Sequence, residues 1–139
     1  MPTLHLLQIA LNDYDPASSI PSLKGCLQDI ENLHATVQRL YGAEMNIVRK
    51  KYENSCATRA AVIKAFEDLS EAADMGDTVL IQYSGHGSKN ITAIAFRSTA
   101  DHVLYDQTLV LYDSRLPDGY DLADKELAVL IERIATKEV

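Results

Sequence analysis

Residues 76–88 read GDTVLIQYSGHGS, and this stretch decides the fold. Its apolar part, TVLIQY, has the length and composition of a buried β-strand, and a glycine-flanked histidine, His86, follows it closely. In an open parallel sheet, the loops after the strands converge at one edge, where ligands bind. The stretch therefore predicts a buried strand that presents His86 at the ligand-binding edge of a sheet.

Predicted strands and helices alternate before this stretch. Residues 4–11 (LHLLQIAL) form an apolar run typical of a strand buried on both faces, and residues 46–52 form a second, shorter strand. Apolar residues at helical spacing predict one helix that ends at Gly42 and another that begins after an N-cap at Thr58. This alternation predicts an α/β fold, a three-layer sandwich in which helices flank a mainly parallel sheet.

The last third of the chain predicts two further short strands, Ile91–Phe96 and Thr108–Tyr112, and a final helix after an N-cap at Asp124. A length of 139 residues is typical of one domain, so we expect residues 1–139 to belong to a single domain. An alternating chain would form another strand after the final helix. We therefore expect this domain to be truncated at residue 139.

Composition and charge exclude several classes of function. The formal net charge of −7 argues against nucleic-acid binding, which requires a concentrated basic surface. The two cysteines, Cys26 and Cys56, have no CxxC pattern or histidine-rich neighbourhood, so we expect neither a zinc site nor a disulfide, and a cytoplasmic setting. The apolar runs are strand-sized, which predicts neither a signal peptide nor a membrane span.

His86 is the main candidate for chemistry. Gly85 and Gly87 remove Cβ crowding, which would permit unusual backbone dihedrals and a close approach of a substrate main chain. An imidazole in this position can act as a general base or acid near neutral pH, or pair with a thiolate. A lone histidine could instead be a simple surface-loop residue, but the preceding buried strand favours a functional one. We expect structural roles for His5, His34 and His102.

Several motifs occur in a fixed order along the chain. Residues 9–14 read IALNDY, residues 23–29 read LKGCLQD, and the histidine string YSGHGS occupies residues 83–88. Shorter matches are ATR at 57–59, YDQ at 105–107 and YDS at 112–114. This ordered set resembles the motifs of the caspase-like cysteine peptidases, in particular metacaspases and their bacterial relatives. The resemblance spans almost the whole chain and implies a caspase-like fold.

The resemblance implies catalytic roles for two residues. His86 would be the histidine of a Cys-His dyad, and the backbone N–H of Gly87 would help to form the oxyanion hole. The family's nucleophile lies in an Asp-x-Cys-His-Ser-Gly-like segment on the strand after the last helix, and this sequence contains no such segment. We expect a complementing C-terminal segment or chain to supply that cysteine, and this chain alone to be inactive. For Cys26 we expect a packing role rather than a catalytic one.

The resemblance also implies a substrate pocket. Asp29 and Ser84 would bind the substrate residue before the scissile bond, and a carboxylate there suits Arg or Lys. Leu23 stands where animal caspases carry an arginine that holds an aspartate, so we predict basic rather than acidic specificity. The structural alternative for Asp29 is a solvated carboxylate favoured by the helix dipole.

Many metacaspases bind activating calcium through clustered acids. By resemblance, Asp106 and Asp124 occupy matching positions, but Lys125 stands where another acid would be expected. A cation there weakens an oxygen-rich site for a hard dication. We therefore expect no metal or other cofactor, and turn or capping roles for the two acids.

Together these observations predict a cytoplasmic, metacaspase-like cysteine endopeptidase that cleaves protein substrates after Arg or Lys. The main alternative is a catalytically inactive caspase-like module used for interaction or regulation, because a fold alone does not fix a function. A nucleotide-binding α/β domain is a third alternative. It is disfavoured because no Gly-rich phosphate loop follows the first strand.

Overall fold

The computed structural model describes residues 1–91 and 105–136 of the chain. A three-stranded parallel sheet forms its centre, with strands β1 (Thr3–Ala10), β2 (Asn46–Glu53) and β3 (Thr78–Ser84). Their order in the sheet is β2-β1-β3, with β1 in the middle. All three strands occupy their predicted positions to within about one residue at each end.

Helices cover both faces of this sheet, as predicted. Helix α1 (Cys26–Tyr41) packs on one face, and α2 (Arg59–Ala72) and α3 (Asp124–Ala135) pack on the other. The predicted three-layer α/β arrangement is confirmed. Among the residues that the structure describes, no helix combines the length and the apolar composition needed to cross a membrane.

The burial of β1 on both faces explains why its sequence is mostly apolar. Successive side chains of a strand point to opposite faces of the sheet. Leu6 packs with Val37 of α1 on one face, and Ile9 packs with Phe66 of α2 on the other. The predicted apolar face of α2 is also observed, since its buried residues are Val62, Ala65, Phe66 and Leu69.

The burial predicted for β3 is wrong. Thr78 is exposed and the other residues of the strand are only partly buried. In the described part of the chain, β3 pairs with β1 along one side only, so it forms an edge of the parallel sheet. The sequence of β3 is therefore more apolar than its contacts in the described part of the chain require.

A second, antiparallel sheet was not predicted. It contains β4 (Gly87–Ile91), β5 (Tyr105–Leu109) and β6 (Leu122–Ala123) in that order. The polar sequence of β4 gives no strand signal. The predicted strand Thr108–Tyr112 is displaced, because Val110 and Leu111 are buried in a loop after β5 and are apolar for that reason. The predicted strand Ile91–Phe96 lies outside the described residues beyond Ile91.

The predicted helix caps have different outcomes. Thr58 caps α2, and its side chain accepts a hydrogen bond from the N–H of Ala61. The N-cap predicted at Asp124 is wrong by one residue, since Ala123 is the N-cap of α3. The carboxylate of Glu126, in the first turn of α3, accepts a hydrogen bond from the Ala123 N–H at 3.1 Å. This contact gives a main-chain donor at the start of the helix its partner.

Candidate active site

His86 lies directly beyond the C-terminal end of β3, as the sequence predicted. The loop that follows β1, residues 11–25, lies at the same edge, because parallel strands end together. Asn12 fixes this loop: its main-chain oxygen accepts the Leu23 N–H at 2.7 Å, and its side-chain oxygen accepts the Cys26 N–H at 2.9 Å. The two loops together form the candidate site.

Both main-chain groups of His86 are held by hydrogen bonds. Its N–H donates to the hydroxyl of Tyr14 at 2.8 Å. Its carbonyl accepts from the hydroxyl of Tyr83 at 2.7 Å and from the N–H of Val110 at 3.0 Å. Three contacts from three different segments therefore fix the His86 peptide in one orientation.

The two tyrosines act as a pair. Their hydroxyl oxygens lie 3.4 Å apart, and the Tyr83 hydroxyl also reaches the carbonyl of Val110 at 2.6 Å. Burial raises the pKa of both Tyr14 and Tyr83, so both hydroxyls keep their protons at neutral pH. Each hydroxyl can therefore hold a main-chain group as a neutral partner.

The His86 ring is oriented by the loop after β1. Its Nε2 lies 2.9 Å from the carbonyl oxygen of Pro21, and the Tyr14 ring lies beside it with a centroid distance of 5.3 Å and an interplanar angle of 49°. A carbonyl oxygen can only accept a hydrogen bond, so Nε2 carries the proton in this contact. In the neutral imidazole, Nδ1 is then the unprotonated, basic nitrogen.

Asp29 and Ser84 are brought together, as the predicted pocket requires. The Ser84 hydroxyl donates to Oδ2 of Asp29 at 2.8 Å. Asp29 is exposed and sits in the first turn of α1, where the helix dipole favours a carboxylate. The pair places a negative charge next to the His86 loop, within reach of solvent.

The predicted role of the glycines needs correction. Neither Gly85 nor Gly87 has a positive φ, so neither is required for unusual backbone dihedrals. A Cβ on Gly85 would lie 2.6 Å from the Tyr83 hydroxyl and 2.8 Å from the Tyr14 hydroxyl. Gly85 is therefore required because the tyrosine pair leaves no room for a side chain.

Gly87 begins β4 and pairs with Leu109 in the antiparallel ladder. The carbonyl of the preceding residue, His86, points toward the segment after β5, since it accepts a hydrogen bond from the Val110 N–H. Hydrogen-bonding groups alternate sides along an antiparallel strand, so the Gly87 N–H points away from β5. That direction is compatible with the predicted oxyanion-hole role.

The two cysteines have contrasting surroundings. Cys26 is buried with Ala10 and Ile30, in agreement with the packing role expected for it, and Leu23 packs against the same cluster. Cys56 is exposed, and both thiols are free. Among the other histidines, His5 is buried and its Nε2 lies 3.1 Å from Asp77, which is a structural contact, whereas His102 lies outside the described residues.

Sequence reasoning missed the roles of three residues at this site. Pro21 acts through its main-chain carbonyl, which no side-chain pattern can reveal. Tyr14 and Tyr83 occur in the quoted motifs, but their hydrogen bonds to the His86 peptide can be recognised only once the loops are placed in space. A tyrosine near the end of β3 together with a second tyrosine shortly after β1 is the sequence signal that could have suggested these hydrogen bonds.

The donor set does not fit the calcium site that the resemblance implies. Asp106 is not the turn residue that we expected: it lies in β5, is buried, and pairs with Lys125 at 2.5 Å. Asp124 is exposed in the first turn of α3. In residues 1–91 and 105–136, no group of three or more His, Cys, Asp or Glu side chains is arranged to hold a metal ion.

Comparisons with known proteins agree with the motifs. A family model for the metacaspase peptidase C14 domain matches residues 7–137. The chain is similar to Metacaspase-4 of Arabidopsis thaliana, with 31% identity over 110 residues, 74% of this chain and 26% of that protein. Metacaspase-6 of the same plant is 29% identical over 106 residues, 73% of this chain and 28% of that protein. The chain thus spans about a quarter of the length of these relatives.

Two further comparisons extend this likeness. Metacaspase-1B of Aspergillus oryzae is 30% identical over 73 residues, 49% of this chain and 17% of that protein. The fold is similar to the crystal structure of protein GSU0716 from Geobacter sulfurreducens, with a TM-score of 0.71 and 28% identity. That likeness covers 95% of this chain and 46% of the Geobacter chain.

The hydrogen bonds of Tyr14 and Tyr83 to the His86 peptide form what we call the tyrosine clamp. Gly85→Ala and Gly87→Ala are a matched pair of variants that tests it. A Cβ at Gly87 would have Thr108 O at 3.6 Å as its nearest neighbour, an ordinary contact. We expect G85A to lower the free energy of unfolding by about 1–3 kcal/mol through overpacking, and G87A to change it by less than about 1 kcal/mol. Chemical denaturation measures both. Equal losses in the two variants would contradict the clamp.

Proposed function

This chain belongs to the metacaspase family of peptidase C14 domains, and from that membership and the His86 geometry we propose that it is the histidine-bearing part of an active cysteine endopeptidase. Its fold is the caspase-like α/β sandwich expected from the motifs. The observation that carries the proposal is the fixed His86 imidazole, whose Nε2 is bound to the Pro21 carbonyl while Nδ1 is left as the basic nitrogen.

The chemistry follows from this orientation. His86 Nδ1 accepts the proton of a cysteine thiol, and the resulting thiolate attacks the carbonyl carbon of the scissile peptide bond. The carbonyl oxygen gains negative charge, which the Gly87 N–H stabilises. The imidazolium then returns its proton to the leaving amine, and the acyl-enzyme forms. Water, activated by His86 in the same way, hydrolyses the thioester and regenerates the thiol.

The nucleophile in this proposal comes from a complementing segment or chain. In the described part of the chain β3 has one unpaired edge. A groove of about 440 Å³ lies against this strand, and Val79, Ile81, Ile131 and Ile134 contribute its apolar lining. An open strand edge beside apolar side chains is a favourable place for a further strand to pair. A strand added there would end at the same edge as β3, next to His86.

We propose that the substrate residue before the scissile bond is Arg or Lys. The support is the Asp29 carboxylate, which Ser84 holds in place next to the His86 loop. A guanidinium or ammonium that leaves water needs a charged partner, and a carboxylate provides one. The net charge of −7 also favours the approach of basic peptides.

The two free thiols are consistent with a reducing, cytoplasmic setting.

The alternative is a catalytically inactive caspase-like module. The observation in its favour is that the two cysteines of this chain occupy a buried cluster and an exposed turn before α2. The two proposals differ in what accompanies residues 1–139 in the native protein. A continuing reading frame or a co-purifying chain with an Asp-x-Cys-His segment supports the peptidase. A native product without either supports the interaction module.

The first test is His86→Ala in the native protein, completed by its cysteine-bearing segment. We expect kcat/KM for a peptide with a basic residue before the cleaved bond to fall by at least about 1000-fold, because the thiol loses its base. His34→Ala, on helix α1, is the control and should keep the wild-type value. Retention of activity in H86A would refute the proposed dyad.

The second test is Asp29→Asn, which keeps an oxygen for the Ser84 hydroxyl but removes the charge. We expect kcat/KM for Arg and Lys substrates to fall by about 10- to 100-fold, the worth of a charged hydrogen bond. Glu31→Gln is the matched control on the same helix, since Glu31 pairs with Arg49 instead. If D29N and E31Q cleave after Arg equally well, the pocket assignment fails.

A further inference from the structure

An ion pair joins β5 to α3. Lys125, the second residue of α3, places its Nζ 2.5 Å from Oδ1 of Asp106 in β5. The Asp106 side chain is 3% exposed and the Lys125 side chain is 37% exposed. A carboxylate with so little access to water requires a compensating positive charge. Lys125 supplies that charge from within the chain.

The neighbouring buried acid is also neutralised by the protein. Asp121 receives two hydrogen bonds from the Arg115 guanidinium, at 3.0 and 2.8 Å, and one from the Thr108 hydroxyl at 2.8 Å. Its side chain is 1% exposed. Its oxygens are therefore occupied by donors that a metal ion would have to displace.

The first turn of α3 shows the same arrangement. Glu126 is bound by the Arg59 guanidinium through two contacts of 2.9 Å. Burial alone would raise the pKa of the Glu126 carboxyl, but the hydrogen bonds from Arg59 and from the Ala123 N–H outweigh it and lower the pKa. Each of these carboxylates has a cationic side chain of the protein as its partner.

We propose that the Lys125 ammonium is a built-in cation that stabilises the β5–α3 junction in place of a bound divalent metal, so that calcium adds no stability at this junction. A calcium ion needs six to eight oxygen ligands. An ion bound at Asp106 would meet the ammonium at the same carboxylate, where two cations repel each other. The inference concerns stability and does not depend on the proposed peptidase activity.

The first experiment is thermal unfolding of the metal-stripped native protein in millimolar CaCl2, with MgCl2 at the same ionic strength as control. We expect the two midpoints to agree within about 1 °C, because an ion that binds the folded state would raise the midpoint. A saturable rise of several degrees with calcium alone would overturn the proposal.

The second experiment replaces the cation. We expect Lys125→Met to lower the unfolding midpoint by more than about 5 °C, since it removes the ammonium that is paired with a buried carboxylate. Lys64→Met is the matched control: Lys64 pairs with Asp68 on the surface of α2, and its loss should shift the midpoint by less than about 2 °C. Equal shifts in K125M and K64M would overturn the proposal.

Lys125→Arg keeps the positive charge and covers the case in which K125M does not fold. We expect K125R to retain at least about half of the stability that K125M loses, because the guanidinium can still reach the carboxylate. If K125R is as unstable as K125M, the charge is not what the junction needs, and the proposal is wrong.

Discussion

The fixed His86 peptide is the constraint on which the site depends. Tyr14 holds its N–H, Tyr83 holds its carbonyl, and the Pro21 carbonyl binds its ring. The clamp works because Tyr14 is buried in the loop after β1, Tyr83 is partly buried near the end of β3, and Gly85 leaves both side chains room. The parallel sheet therefore determines the direction of one imidazole through main-chain and hydroxyl contacts.

In the proposed peptidase, this arrangement would be preorganised before the nucleophile and the substrate arrive. A base held in one tautomer and one orientation avoids reorganisation during the reaction, which is the usual source of catalytic advantage in enzyme sites. The Asp29–Ser84 pair is attached to the same strand end, so the charge that we propose for substrate recognition and the proposed base share one support. In the part of the chain that the structure describes, β3 also has one unpaired edge.

Much of the fold could be predicted from the sequence, because its signals are local. The apolar run of β1, the spacing on α2 and the Thr58 cap each depend on nearby residues, and each was found where expected. The second sheet escaped prediction because β4 is polar and the apolar Val110 and Leu111 lie in a loop. The burial of β3 was overestimated because apolar composition does not reveal whether a strand has one neighbour or two.

The sequence predicted which residues belong to the candidate site but not the contacts that orient them. The motif identified His86, Asp29 and Ser84, and the last two are in contact. The Pro21 carbonyl and the Lys125–Asp106 pair depend on contacts between segments far apart in the chain. Such contacts leave no periodic signal in the sequence. The sequence also does not show whether a glycine is needed for an unusual φ or, as at Gly85, because a Cβ would collide with a tyrosine hydroxyl.

The most direct test of this account is the tautomer of His86, read from two-bond ¹H–¹⁵N correlations of the ¹⁵N-histidine-labelled native protein at a pH where the imidazole is neutral. Because Pro21 offers only an acceptor, we expect the proton on Nε2 and an unprotonated Nδ1. A His86 ring that carries its proton on Nδ1, or that averages between both tautomers, would contradict the oriented base from which the mechanism is derived.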